Sequence, residues 1–269
     1  MSALRNIARK FKQALLRRAE MRAYMREVAH FKGYLVRHEY CGFHLNVNIS
    51  DSEGETWYDR DWPMPLEIEV LTRNQLRHGA KCLNIGSHQG VLAMVLARLV
   101  GEYGRVLAVD PSPHNTSVMQ ANLDANGISN VAVLQAAISA SNSPVSFGFR
   151  ANDRVDPNGP LVCRGITIDT LTQEFGTPDI VTVDVEGFEL EALRGASKLL
   201  ADGSNDWCIE VHAGMGLEDF GGSVAAVAES FSADRFDLLV VLSDGLMLAY
   251  RDAFGKLNSR FHLLAIRKS

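Results

Sequence analysis

The stretch Lys81-Cys82-Leu83-Asn84-Ile85-Gly86-Ser87-His88-Gln89-Gly90-Val91, answered by Val106-Leu107-Ala108-Val109-Asp110, decides how this chain folds. Cys82–Ile85 is a short apolar run that stops at a glycine turn. Val91–Val100 is apolar nearly all round, which predicts a helix buried on every side. Val106–Val109 is a second buried strand. Beyond it Ser112 is an N-cap and Pro113 sits at the first helical position, where its missing N–H costs nothing. Working outward, the same alternation continues. Strands are predicted at Val131–Leu134, Ile180–Val183 and Cys208–Val211, and a helix over Phe188–Leu200. Two late strands, Phe236–Leu242 and Phe261–Ile266, have no long helix between them, which predicts an antiparallel edge. The pattern is that of an α/β, doubly wound, three-layer sandwich on a mostly parallel sheet.

The rest of the chain is less regular. A hairpin is expected over 34–49, a polar loop over 50–62 and a helix over Leu66–Arg77. The segment 139–165 is rich in turn residues and holds at most an edge pair around Val145–Phe149. Asp169 is expected to cap a short helix, Thr170–Phe175, and Val224–Phe231 to be helical. The organisation read from this is an arm over 1–33, a strand and loop lead-in over 34–65, and a main domain over 66–269.

The charge is uneven. The 269 residues carry a net −5, yet residues 1–37 hold ten basic residues and two acids. The remaining body holds 17 basic and 30 acidic residues, a net of −13. A body so acidic excludes phosphate-backbone binding by the main domain, so no nucleic-acid partner is expected there. In the arm, Leu4, Ile7, Phe11, Ala14, Met21, Met25 and Val28 form an apolar stripe with basic residues on the other faces. Such a helix suits a partner helix or homo-oligomer contact, or peripheral contact with an anionic membrane. No apolar run is long enough to span a bilayer, and the N-terminus is not expected to act as a signal peptide. Cys41, Cys82, Cys163 and Cys208 have neither disulfide-framework nor zinc spacing and are expected as free thiols in a cytoplasmic protein.

In open α/β sheets the ligand lies outside the carboxyl ends of the strands, where the strand order reverses. The residues that follow each strand are therefore the candidates. Asn84 to Gly90 has glycines four apart, a turn that lets a ligand approach the backbone at a helix N-terminus. It is not the dinucleotide fingerprint G-x-G-x-x-G, because His88 stands at the central glycine. A ligand without a phosphate fits better, and S-adenosylmethionine is one. Asp110, with Pro111 and Ser112 after it, suits both hydroxyls of a ribose without choosing the nucleoside. Asp184 and Glu186 are acids at i, i+2 beyond a buried strand, and Glu210 and His212 repeat that spacing one strand later. Across a shared crevice His212 and Asp184 are the candidate general bases. No His/Cys ligand spacing supports a metal.

Taken together, Asn84-Ile-Gly-Ser-His-Gln-Gly90, Val109-Asp-Pro-Ser-Pro-His114, Asp169-Thr-Leu171, Val183-Asp-Val-Glu-Gly-Phe-Glu-Leu-Glu-Ala-Leu-Arg-Gly-Ala196 and Ile209-Glu-Val-His212 resemble the successive motifs of FkbM-type S-adenosylmethionine-dependent methyltransferases. The resemblance spans about residues 66–212 and is most specific from Asp184 to Ala196. It implies a class I, Rossmann-like methyltransferase fold with a seven-stranded sheet, and S-adenosylmethionine as cofactor. It also implies methyl transfer to a hydroxyl oxygen of a sugar, glycan or natural product. Asn84, Ile85, Gly86, Ser87, His88 and Gly90 would then cradle the methionine part. Asp110, Pro111 and Ser112 would hold the ribose, and Ala136 and Ala137 would line the adenine. Asp184 and Glu186 would stand near the sulfonium and the acceptor. The family usually has an acid where this chain has Asn84, so a catalytically degenerate scaffold is an alternative. An NAD-dependent oxidoreductase is a second alternative, disfavoured by His88.

Overall fold

A computed structural model describes residues 16, 19, 21–148, 154–253 and 255–268. Helix α1 (21–30) leads into the hairpin β1 (Tyr34–Tyr40) and β2 (Phe43–Ile49), then the short helices α2 (Ser52–Tyr58) and α3 (Leu66–Thr72). The alternating part begins with β3 (Lys81–Ile85), α4 (Val91–Val100), β4 (Arg105–Asp110), α5 (Pro113–Ala125) and β5 (Val131–Gln135). Four short strands follow, β6 (Ala137–Ile138), β7 (Val145–Phe147), β8 (Leu161–Cys163) and β9 (Gly165–Ile166). The chain continues through α6 (Ile168–Phe175), β10 (Ile180–Val183), α7 (Glu189–Arg194), α8 (Ser197–Asp202), β11 (Asp206–Val211) and α9 (Val224–Glu229). It ends with β12 (Phe236–Val241), β13 (Met247–Ala249) and β14 (Phe261–Arg267). The arm's stripe from Leu4 to Ala14 lies outside the described residues.

The main sheet has the order β13-β12-β14-β11-β10-β3-β4-β5. Strands β11, β10, β3, β4 and β5 are parallel. The late strand β14 slots antiparallel between β11 and β12, the edge expected from the sequence. The sheet has eight strands rather than seven because Met247–Ala249 folds back on β12. The cause is a tight turn at Asp244-Gly245, with Gly245 at φ +80°, a strong hairpin signal.

Neighbouring residues of β3 point to opposite layers, as the period of two requires. Leu83 and Ile85 join one apolar core with Val109, Leu193 and Ile209. Cys82 joins the other with Met94, Leu96, Ile180 and the hairpin residues Tyr40 and Leu45. Helices α6 to α9 cover the first face, and α3 to α5 with the hairpin cover the second. From β3 the chain moves to β4 and β5 on one side, and from β10 to β11 on the other. The reversal between β3 and β10 is the switch point, and their carboxyl ends carry Gly86 and Asp184. All four cysteines are buried and unpaired. Among the described residues, no helix is long and apolar enough to cross a membrane.

Several expected elements differ, and the helix expected over Leu66–Arg77 ends at Thr72. The polar segment 50–62 contains α2, because Asp51 caps it by accepting from the Gly54 N–H at 2.6 Å. The helix expected over Phe188–Leu200 is two helices, interrupted at Gly195-Ala196.

Candidate active site

The glycine turn is built for close approach. Gly86 has φ +75°, and a Cβ there would lie 1.6 Å from the Asp184 carbonyl oxygen. Only glycine lets the ends of β3 and β10 meet this way. The amides of the turn are not free for a ligand, contrary to the simple reading of a helix N-terminus. Gly86 N and Ser87 N both donate to Val109 O, at 2.9 and 3.0 Å, and His88 N donates to Asp110 Oδ2 at 2.9 Å. The turn therefore offers shape, and through His88 it fixes Asp110. That carboxylate also accepts from Ser112 N at 2.9 Å and Asn115 Nδ2 at 3.1 Å. Burial pushes Asp110 up to about 7, against the pull of these donors. A carboxylate has about four acceptor sites, so capacity remains for a ligand hydroxyl.

Two cavities meet at the switch point. The first is lined by Ile85, Gly86, Asp110, Ala136 and Ala137, with Phe188 across from them; Pro111 and Ser112 complete its edge. The second, of about 360 Å³, has an aromatic wall of Trp57, Tyr58 and Trp62 facing Glu67, Glu210 and Arg260. Gly86, His88 and Asp184 line both. Asn84 and Ser87 line the second cavity, not the first. Asn84 Nδ2 donates to Thr182 Oγ1 at 2.8 Å, and its Oδ1 is buried without a hydrogen bond. Gly90 is not among the residues lining either cavity. It has φ +85°, and a Cβ there would lie 2.3 Å from Met119 Cγ, so its requirement is packing of the α4 N-terminus against α5.

His88 has φ +47°, an uncommon conformation for a residue with a side chain. Its Nδ1 lies 2.6 Å from Tyr58 Oη. Burial holds its pKa down, at about 4, so the ring is neutral. That 2.6 Å contact ties the ring to Tyr58 and leaves its other nitrogen, Nε2, on the far side. That atom is buried with no hydrogen-bond partner at the junction of the cavities. Tyr58 was legible only as one of several aromatics in a polar loop.

Behind the junction lies a group of acids around one imidazole. Glu186 has φ +52° and Gly187 φ +101°, a turn that directs Glu186 toward His212. His212 is 1% exposed. Its Nδ1 is 2.7 Å from Glu189 Oε1, and its Nε2 is 3.2 Å from Glu186 Oε2 and 3.8 Å from Asp184 Oδ1. Burial opposes charge on this ring, but Glu186 and Glu189 outweigh it and raise its pKa to about 10. The two carboxylates therefore favour the protonated ring, and a base role for His212 requires that proton to leave first. Burial first, then the nearby Glu210 and Glu186 charges, push Asp184 well above the usual carboxylate range. Glu189, in the first turn of α7, is the buried partner that orients His212. Arg260, whose Nε lies 2.9 Å from Glu210 Oε1, and Glu210 itself were missed as site residues. The i, i+2 spacing of Glu210 and His212 was the available signal. Arg150 lies outside the described residues, and Arg154 bonds the Met215 carbonyl at 3.0 Å and Asp219 at 3.3 Å.

The family model of the methyltransferase FkbM domain matches residues 84–236. The hexuronic acid methyltransferase AglP of Haloferax volcanii is 26% identical over 188 residues, 67% of this chain and 76% of that protein. A probable cobalt-precorrin-6B C(15)-methyltransferase of Sulfolobus acidocaldarius is 24% identical over 140 residues, 48% of this chain and 73% of that one. Among solved structures, an FkbM methyltransferase from Methylobacillus flagellatus has a TM-score of 0.45 at 18% identity, covering 68% of this chain and 43% of that chain. An rRNA methylase-like protein from Clostridium thermocellum has a TM-score of 0.49 at 13% identity, covering 76% and 94%.

Proposed function

Since the chain belongs to the FkbM methyltransferase family, we propose that it transfers a methyl group from S-adenosylmethionine to a hydroxyl oxygen of a sugar or glycan. The observation that carries this reading is the pair of cavities joined at Gly86, His88 and Asp184. One has the ribose-binding chemistry of a buried acid and an apolar floor. The other combines three aromatic side chains with charged groups, which suits the apolar face and hydroxyl edge of a sugar ring. Family membership leaves the dinucleotide alternative without support. The relative named for hexuronic acid favours a carboxylated sugar, for which Arg60 in the second cavity supplies positive charge.

The residues fit the cofactor. Asp184 Oδ1 and His88 Nε2 are buried polar atoms without hydrogen-bond partners where the cavities meet, and the surrounding carboxylates favour a positive charge. Bound there, S-adenosylmethionine supplies a methyl group already activated on a sulfonium. The protein's task is then alignment of the acceptor oxygen, which can contribute roughly 7–11 kcal/mol. Asp110 holds the ribose in a fixed orientation because His88 N, Ser112 N and Asn115 fix its carboxylate. The aromatic wall excludes water from the acceptor side. Asp184, raised by burial and by the nearby Glu210 and Glu186 charges, receives the hydroxyl proton, an effect of order 10²–10⁴ in rate.

The test has two arms. Thermal shift with S-adenosylmethionine, S-adenosylhomocysteine, NAD and NADP should give stabilisation by the first two. Deuteromethyl transfer to a panel of neutral and uronic glycosides, read by mass spectrometry, should label a uronic acceptor first. Cofactor binding without transfer to any glycoside would overturn the acceptor class. No response to any ligand would favour the scaffold alternative.

A further inference from the structure

We propose that Asp184, Glu210 and His212 form a binding site for a divalent transition-metal ion such as Mn²⁺. The three residues come from the ends of neighbouring parallel strands β10 and β11, and their ligand atoms all lie within 4.8 Å of one another. Two carboxylates and an imidazole are a mixed oxygen and nitrogen set that such ions accept. The sequence shows no ligand motif because the set is assembled across strands rather than along one element.

The observation that separates this group from an ordinary acidic cluster is His212. Its side chain is 1% exposed, and its Nε2 faces Glu186 Oε2 at 3.2 Å and Asp184 Oδ1 at 3.8 Å with no well-formed hydrogen bond, so an ion bound there would displace the proton those acids favour on the ring. Its other nitrogen is bound at 2.7 Å to Glu189 Oε1, and Glu189 is 0% exposed. A buried carboxylate on the far nitrogen of an imidazole is the outer-shell arrangement that orients metal-binding histidines. Asp184 Oδ1, 3.8 Å from Nε2, is likewise buried and without a hydrogen bond. Glu210 pairs through Oε1 with Arg260 Nε at 2.9 Å. Glu186 Oε2, 3.2 Å from Nε2, is close enough to join the set. Three protein ligands leave positions for oxygens from the second cavity, which Asp184 and Glu210 line. The inference rests on the methyltransferase reading only for what those oxygens belong to.

The probe is Mn²⁺ alone, titrated into the full chain and read by electron paramagnetic resonance, with S-adenosylhomocysteine affinity measured separately. One saturable Mn²⁺ per chain is expected. Glu210→Gln should weaken it by about tenfold or more, and Glu189→Gln by about 10–100-fold through the outer shell. Glu67→Gln, on the wall of the same cavity, should bind as the unchanged protein does. Asp184→Asn repeats the test should Glu210→Gln fail to fold. Absence of saturable binding, or equal binding by Glu210→Gln or Asp184→Asn, would overturn the site. Retained S-adenosylhomocysteine binding without Mn²⁺ binding would sink this inference alone. Loss of S-adenosylhomocysteine binding in the unchanged protein would sink the cofactor reading instead.

Discussion

Gly86 is the residue on which the site's geometry turns. Any side chain there meets the Asp184 carbonyl, at 1.6 Å for a Cβ, and that backbone is the end of a buried strand with nowhere to go. Gly86→Ala should therefore cost more than about 2 kcal/mol in urea unfolding, since a clash with backbone adds to the strain of positive φ. A variant as stable as the original would show that β3 and β10 part without cost. Asp110 carries a different signature. Its folded-state pKa, raised to about 7 from 3.8 by burial, means that the folded chain keeps a proton the unfolded chain gives up. Stability is then lost as pH rises between about 4 and 7, and is flat above. The urea midpoints at pH 5 and pH 7.5 should differ less in Asp110→Asn than in the unchanged protein, and an equal difference would contradict the buried-acid assignment.

At the scale of elements, what could be read from the sequence depended on how local each signal was. Strand β3, helix α4, strand β4 and the Ser112 cap were legible because the period, the cap and the proline all act within a few residues. Asp169 was legible as a cap but not as the cap of the right helix. The helix at Ile168–Phe175 is capped by Thr167. Asp169 instead accepts from Lys198 N at 3.0 Å and Leu199 N at 3.1 Å, closing the start of α8 from across the fold. No local rule finds a partner some thirty residues away. Asp169→Ala should cost about 1 kcal/mol, as caps do, measured as a shift of the urea midpoint. Thr167→Ala should cost a similar amount by undoing a different helix end. The acid cluster was half legible for the same reason. Alternation on β11 set Glu210 and His212 on one face, but only strand pairing brings Asp184 beside them and only helix packing brings Glu189.

For the whole molecule, the question is whether residues 34–58 are an attachment or part of the domain. Their bonds argue for the second. Asn48 N donates to Asn122 Oδ1 at 2.7 Å, and Asn46 N to Asn126 Oδ1 at 2.8 Å, so β2 is tied to α5 through side chains. Asp51, 3% exposed, caps α2, accepts from Gln89 Nε2 at 2.7 Å and pairs with His114 Nε2 at 2.6 Å. It thus joins the lead-in to the helices after β3 and β4. Tyr40 and Leu45 share one apolar core with Met94 and Leu96. Such a segment should open only with the core, because its buried contacts are the core's own. Native-state hydrogen exchange should give the amides of β2 and β3 the same opening free energy. In Asp51→Ala both should fall together by about 1–3 kcal/mol, the cost of leaving buried donors unmatched. Independent early exchange of β2 would show a lid that moves on its own, and the aromatic wall of the acceptor cavity would then be a gate rather than a fixed surface.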